Sequence, residues 1–282
     1  MAIEIIKTCE ALNDLVSKLK SEGKTLGVVP TMGALHEGHL SLARQAVSST
    51  DVAIATIFLN PIQFAAGEDL STYPKSLQAD VEQLESVGVQ FVFAPTNDEI
   101  YPSGFTTSVV PPAIAKRLEG EFRQTHFAGV ATVVLKLLNL SQADIGFFGQ
   151  KDFQQALVIK HMVADLNVPT EIRVCPIVRQ ADGLALSSRN AYLSDDERKI
   201  ALSLNRTLDH VENQIKSGLR DGFEAITEMR QLLIDAGVDS IDYAILADPN
   251  TLETVDSIKL PVVALIAAYV GKTRLIDNRL ID

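Results

Sequence analysis

The sequence predicts an α/β fold: a Rossmann-type parallel sheet with helices on both faces, plus a smaller C-terminal α+β domain. Three observations carry this. Short apolar runs rich in β-branched residues alternate with amphipathic stretches through the first two thirds of the chain. That is the pattern of βαβ units, whose parallel strands are joined by crossover helices and buried on both faces. The pattern changes after about residue 178, where long helices precede closely spaced strands. No apolar segment approaches the ~20 residues that span a bilayer; the longest candidate, residues 260–270, is strand-sized.

The elements follow in order. Residues 25–30 (TLGVVP) and 52–59 (VAIATIFL) read as buried strands, and residues 90–94 and 144–148 read the same way. Helical patterns cover residues 9–22, 39–48, 77–87, 127–140 and 153–166. Ser194 followed by Asp195, Asp196 and Glu197 is an N-cap with an acidic first turn, which opens a long helix. A second helix spans residues 221–236, and strands follow at 240–246, 262–270 and 273–279. No Gly/Ser/Pro-rich linker marks the junction. The change of character places the domains at residues 1–177 and 178–282.

The formal charge of −11, from 25 basic against 36 acidic side chains, repels nucleic acid and anionic membranes. Neither partner is expected, and an anionic substrate must be met by a few basic groups that reverse the field locally. Cys9 and Cys175 belong to no paired motif, which points to reduced thiols in a cytoplasmic protein and to no zinc site. The opening residues MAIEIIK carry Glu4 inside their apolar run, so no signal peptide is expected.

Five constellations carry chemistry. PTMGALHEGH, residues 30–39, lies between a strand and a helix, at the carboxyl end of a strand where open α/β sheets bind ligands. Gly33 and Gly38 let backbone approach a phosphate, and the helix start offers N–H groups and a positive dipole end. His36 and His39 are spaced to meet one phosphate chain. LALSSRN, residues 184–190, offers Ser187, Ser188 and the donor fork of Arg189; alone it is a common surface sequence. FGQKDFQQ, residues 148–155, again joins a strand to a helix, with Lys151 placed beside a helix N-terminus and Asp152 readable equally as an N-cap. In FLNPIQF, residues 58–64, Asn60 and Gln63 offer neutral donors and acceptors suited to a hydroxylated substrate. RQTHFAG, residues 123–129, carries His126, for which a structural role is the default, and Arg123.

Together, PTMGALHEGH, FLNPIQF, THFAGV, FGQKDFQQ and DGLALSSRN resemble the pantoate–β-alanine ligase family, in the family's order and over nearly the whole chain. The first and last are similar to the paired ATP signatures of the wider class I synthetase and nucleotidylyltransferase superfamily. The resemblance implies that Met32, Gly33, Ala34, Leu35, His36, Glu37, Gly38 and His39 line an ATP site. Gly149, Gln150, Lys151, Asp152, Val178, Leu186, Ser187, Ser188 and Arg189 complete it, Val178 through its backbone. It makes His39, His36, Lys151 and Arg189 catalytic, with His39 the proton donor. Gln63 would contact pantoate and β-alanine, Gln155 would contact pantoate, and Asn60 joins this substrate-binding set. Magnesium is carried by the ATP phosphates, with no protein ligand. A cytoplasmic homodimer is implied.

Three positions depart from the family's pattern. Gln150 replaces a usual Glu, Ile62 a common Met, and Gln124 a usual Pro. None removes a residue assigned to chemistry. The implied reaction forms an acyl adenylate, which water would destroy, so the second domain is expected to act as a lid. Three other readings compete: a nucleotidylyltransferase, which would need a second phosphate site; an aminoacyl-tRNA synthetase fragment, which the charge of −11 opposes; and a non-catalytic nucleotide-binding protein, which intact His36, His39, Lys151 and Arg189 oppose.

Overall fold

The computed structural model describes residues 2–64, 70, 73 and 76–282. Two compact units emerge: Met1–Gly149 with Gln154–Pro176, and Gln150–Phe153 with Ile177–Asp282. A single boundary at 177/178 does not capture the short excursion at Gln150–Phe153.

The first unit runs β1 (Glu4–Ile6), α1 (Cys9–Ser21), β2 (Leu26–Thr31), α2 (Glu37–Ser49), β3 (Val52–Ile57), α3 (Leu77–Ser86), β4 (Phe91–Phe93), α4 (Asn97–Ile100), α5 (Glu119–Phe122), α6 (His126–Ser141), β5 (Ile145–Gly149), α7 (Phe153–Asp165) and β6 (Glu171–Cys175). The strands form one sheet in the order β1-β4-β3-β2-β5-β6, every pair parallel. Successive side chains on a strand point to opposite faces, and both faces are covered. Val28, Ile54, Phe93 and Phe148 join a cluster with α1, α6 and α7. Their neighbours Val29, Ala53 and Phe147 pack with α2, while Ala55 and Val92 pack with α2 and α3. This two-sided burial is why the inner strands are continuously apolar.

The sheet is built outward from β2 in two directions, through β3 and β4 on one side and β5 and β6 on the other. The reversal therefore lies between β2 and β5. Connections leaving their carboxyl ends diverge there and open a crevice, the usual ligand position in such sheets.

The second unit holds α8 (Asp195–Lys216), α9 (Gly222–Asp235), β7 (Ser240–Ala247), β8 (Val262–Val270) and β9 (Thr273–Ile281). Its strands form an antiparallel meander. Leu204, Leu208, Val211 and Ile215 of α8 and Met229 and Leu233 of α9 pack against Ala264, Ile266 and Ala268 of β8. The expected cap of α8 is a full capping box. The Glu197 N–H donates to Ser194 Oγ and the Ser194 N–H to Glu197 Oε2, at 3.3 and 2.8 Å.

Candidate active site

The connection from β2 to α2 is a constrained turn. Gly33 and Ala34 both have left-handed backbones, with φ of +84° and +51°. For alanine that geometry costs about 1 kcal/mol or more. It is held by Asp80, in the first turn of α3, which is only 3% exposed. The Ala34 and Leu35 N–H groups donate to its two carboxylate oxygens at 3.0 and 2.8 Å. A Cβ on Gly33 would lie 3.0 Å from Asp80 Oδ2, a tight contact that adds to the preference for glycine set by its left-handed backbone.

The helix start departs from expectation. The sequence pattern offers its N–H groups to a phosphate; in the structure the two histidines consume part of that set. His36 is the N-cap of α2, and its Nδ1 accepts from the Gly38 N–H at 3.1 Å. The Nδ1 of His39 accepts from the His36 N–H at 3.3 Å. This is a capping box made of two imidazoles, and their rings stack with centroids 4.1 Å apart. It also explains why α2 begins at Glu37, two residues before the predicted start. Because both Nδ1 atoms accept, a neutral ring carries its proton on Nε2. The turn thus presents imidazole N–H donors in place of bare backbone. Glu37 pairs with Arg44, which holds its carboxyl below the usual range.

A second turn, Pro61–Gln63, follows β3. Asn60 is 1% exposed, and both its amide hydrogens are engaged, on Gln63 Oε1 at 3.0 Å and the Gly129 carbonyl at 3.2 Å. Its Oδ1 accepts from the Tyr101 hydroxyl at 2.7 Å. Asn60, expected to join the substrate-binding set, therefore positions Gln63. Gln63 Nε2 in turn donates to Met32 Sδ at 3.0 Å, so the Met32–His39 and Asn60–Gln63 segments meet. Behind them, Arg123 Nη1 lies 3.1 Å from His126 Nε2, and His126 Nδ1 lies 3.0 Å from the Gln63 carbonyl. A guanidinium only donates, so His126 accepts at Nε2 and donates from Nδ1. The structural role expected of His126 is to hold the Gln63 main chain. Beside this region a pocket of about 420 Å³ is lined by Met32, Phe58, Pro61, Leu77, Asp80 and Asn97, among others.

On α7, Gln154 is buried, and it is Gln154 that ties down the preceding segment. It accepts from the Glu119 N–H at 3.0 Å and donates to the Ile114 and Arg117 carbonyls at 2.9 and 2.7 Å. Gln155, the predicted pantoate contact, is half-buried.

In the second unit, β9 organises the remaining predicted residues. Asn278 donates through Nδ2 to the carbonyls of Gln150 and Lys151, both at 2.9 Å. Gln150 Nε2 donates back to Asn278 Oδ1 at 3.3 Å. The neighbouring Asp277, buried, forms a two-point ion pair with Arg179 at 2.6 and 2.9 Å. Asp277 and Asn278 thereby anchor both the Gln150–Asp152 turn and the hairpin after Val178. The Val178 carbonyl accepts from the Leu186 N–H at 3.0 Å. Ser187 caps the Ser188–Tyr192 turn, accepting from the Arg189 N–H at 3.3 Å. Lys151 Nζ lies 4.0 Å from Asp152 Oδ1.

Two predictions arise here. Asp80→Ala leaves the Gly33–Ala34–Leu35 turn without its acceptor, and the KM for ATP should rise about tenfold, the equivalent of one lost charged hydrogen bond. Asp80→Asn, which keeps one acceptor, should fall between. An unchanged KM in the alanine variant would uncouple the turn from nucleotide binding. For Gln150→Glu, the main-chain carbonyl still accepts from Asn278 while the new carboxylate turns away from Asn278 Oδ1. Turnover should change less than about threefold, the size of a sub-kcal/mol contact; a larger change would make the side chain itself functional.

Sequence reasoning does not single out Asp80, Tyr101, Asp277 or Asn278 for the site. A buried acid in the first turn of a helix reads as a dipole partner, and Tyr101 meets Asn60 only through the fold. The signal that could find Asp277 and Asn278 is a polar run, Asp277, Asn278 and Arg279, inside a strand and flanked by Ile276 and Leu280.

The family model for pantoate–β-alanine ligase matches residues 4–280. A pantothenate synthetase of Rhodopirellula baltica is 48% identical over 280 residues, covering 98% of each chain. One of Caldicellulosiruptor saccharolyticus is 46% identical over 278 residues, covering 99% of each. Among solved structures, the pantothenate synthetase of Thermus thermophilus matches with a TM-score of 0.94 at 38% identity, covering 99% of each chain. The pantoate–β-alanine ligase of Francisella tularensis, solved in complex with β-γ ATP and β-alanine, matches with a TM-score of 0.83 at 37% identity, covering 99% of this chain and 98% of that one. The stacked histidines at the head of α2, the Gln63 turn and the β9-anchored lysine turn are therefore elements of a chain that belongs to the pantoate–β-alanine ligase family.

Proposed function

We propose that this chain condenses pantoate with β-alanine at the expense of ATP, giving pantothenate, AMP and pyrophosphate through a pantoyl adenylate. The observation that carries the reading is the His36–His39 pair, mutually capped and stacked at the carboxyl end of β2 beside the strand-order reversal. Family membership and the ATP-type ligand of the Francisella relative support it.

Pantoate, with a carboxyl pKa near 4, is ionised at neutral pH, so the first step needs no base. A carboxylate oxygen attacks the α-phosphorus in line, and the bond to the pyrophosphate bridge breaks. The requirement is alignment and neutralisation of growing charge. His36 and His39 supply Nε2–H donors, and His39 donates to the leaving pyrophosphate; Lys151, Ser187, Ser188 and Arg189 are further donors of the kind a phosphate uses. The residues suit ATP, because each presents hydrogen to an anion. Among the described residues no group of three or more His, Cys, Asp or Glu could hold a metal ion. In this reading magnesium arrives with the ATP phosphates, where it would neutralise their charge. Gln63 and Gln155 hold pantoate. In the second step the free-amine form of β-alanine, its ammonium proton already lost to water, attacks the acyl carbon; the carbon–nitrogen bond forms, the nitrogen gives up a second proton to water, the carbon–oxygen bond breaks and AMP leaves. No helix among the described residues is long and apolar enough to cross a membrane. The reading includes a cytoplasmic homodimer.

The test is pyrophosphate release by the purified protein with ATP and magnesium. Release that requires pantoate, with sustained AMP formation that also requires β-alanine, is the expected result. Release indifferent to pantoate would remove the substrate assignment.

A further inference from the structure

We propose that Tyr101 is a positioning residue for the acid substrate: acting through Asn60, it fixes the Gln63 amide with its oxygen on Asn60 and its amino end toward Met32. The proposal rests on the ligase reading and adds a residue and a polarity to it.

The argument is one of donors and acceptors. A carboxamide has an acceptor end and a donor end, and coordinates alone do not decide which is which; the partners do. Burial pushes the Tyr101 phenol pKa well up, so the group is a protonated donor at every working pH. It points its hydrogen at Asn60 Oδ1, 2.7 Å away. The opposite end of Asn60 must then be its amino group. The Gly129 main chain agrees, because a carbonyl at 3.2 Å can only accept. That amino group meets Gln63 at 3.0 Å, so the Gln63 atom it meets is the oxygen. The Gln63 amino end is left beside Met32 Sδ, a weak acceptor that a carboxylate or hydroxyl oxygen outcompetes. Three consecutive side chains therefore transmit one choice of direction. The result is an N–H donor suited to an anionic, hydroxylated acid, on the side of the Met32 turn.

Tyr101 has no other evident reason to carry a hydroxyl. Its ring packs with Phe58 and Phe105 at centroid distances of 6.0 and 5.1 Å, contacts that phenylalanine reproduces. Without the hydroxyl, Asn60 Oδ1 is a buried acceptor lacking its donor, at a site where Asn60 is almost wholly shielded from water. Such a group relieves itself by shifting or turning, and Gln63 follows.

The experiment is steady-state kinetics on the full chain, with Tyr101→Phe, Gln63→Leu and the double variant, each checked for an unchanged melting temperature. Tyr101→Phe should raise the KM for pantoate about tenfold, the worth of one buried hydrogen bond, while the KM for ATP stays within about twofold. In the Gln63→Leu background the same substitution should change the pantoate KM by less than about twofold, since coupled residues are not additive. Gln63→Glu keeps an oxygen for Asn60 and replaces only the amino end. It should weaken pantoate more than Gln63→Leu does, because it sets an acceptor against an anion. An unchanged pantoate KM in Tyr101→Phe overturns the proposal, as does an equal effect with and without Gln63. If the unmodified chain shows no pantoate-dependent turnover, the ligase reading falls and the proposal falls with it; if it turns over and Tyr101→Phe is silent, the proposal falls alone.

Discussion

His39→Ala is expected to abolish adenylate formation while leaving the fold in place. Pantoate-dependent pyrophosphate release should fall about 10²- to 10⁴-fold, the range for loss of a positioned proton donor. The substitution removes two things at once. It deletes the Nε2–H that the capped tautomer presents, and it deletes the Nδ1 that accepts from the His36 N–H at 3.3 Å. The second loss is an N-cap contact worth about 1 kcal/mol, which lowers the melting temperature by a few degrees in a chain of this size. The two losses are separated by His39→Asn, whose amide oxygen can accept from the His36 N–H but offers no imidazole. It should recover the melting temperature and none of the rate. Near-normal turnover in either variant would remove His39 from the chemistry.

Gly129→Ala should be strongly damaging although it adds a single methyl group. Glycine inside a helix ordinarily gives up about 1 kcal/mol to alanine, so on propensity alone the change would stabilise α6. The geometry reverses the sign. A Cβ at this position would lie 2.5 Å from the Ile62 carbonyl oxygen, 2.6 Å from Gln63 Cα and 2.7 Å from Gln63 N. All three are main-chain atoms, which cannot turn aside as a side chain can. Overpacking of this kind costs about 1–3 kcal/mol or more, enough to cancel the propensity gain and leave a net loss. Relief requires the Pro61–Gln63 turn to move off the helix, carrying Gln63 with it. The expected result is therefore a lower midpoint in urea together with a raised KM for pantoate. A stabilised variant would mean that α6 and this turn do not pack as described.

The inner strands are legible because burial on both faces writes itself into composition: every residue of β3 but one is buried, and the sequence there is VAIATI. The edge strands are not. β1 is three residues long, too short for a pattern. β6 alternates Glu171 and Arg173 with apolar neighbours, and those two charged side chains pair with each other. The starts of α8 and α9 are legible to within two residues, since Ser194 and Asp221 are ordinary caps; α2 is harder because histidine is an unusual one. In the site, the motif residues, His36 and His39 among them, are named by the sequence. Residues that hold those residues are not. Asp80 is 46 residues from Ala34 and Tyr101 is 41 from Asn60, and nothing local in the sequence reports such meetings. Asn60 is similar: its bonds to Gln63, Gly129 and Tyr101 are made by the fold and leave no local mark in the sequence.

The Gln150–Lys151 turn and the asparagine that secures it are 128 residues apart. During synthesis the lysine emerges long before Asn278 does, and β5 can dock into its sheet while the turn beyond it still has no donor to fix its direction. A nascent or truncated chain ending before Asp277 would lack the Asn278 contacts to the Gln150–Lys151 turn, and Arg179 would lack its carboxylate. The anchoring of this turn is therefore complete only once β9, the last strand of the meander, has been made.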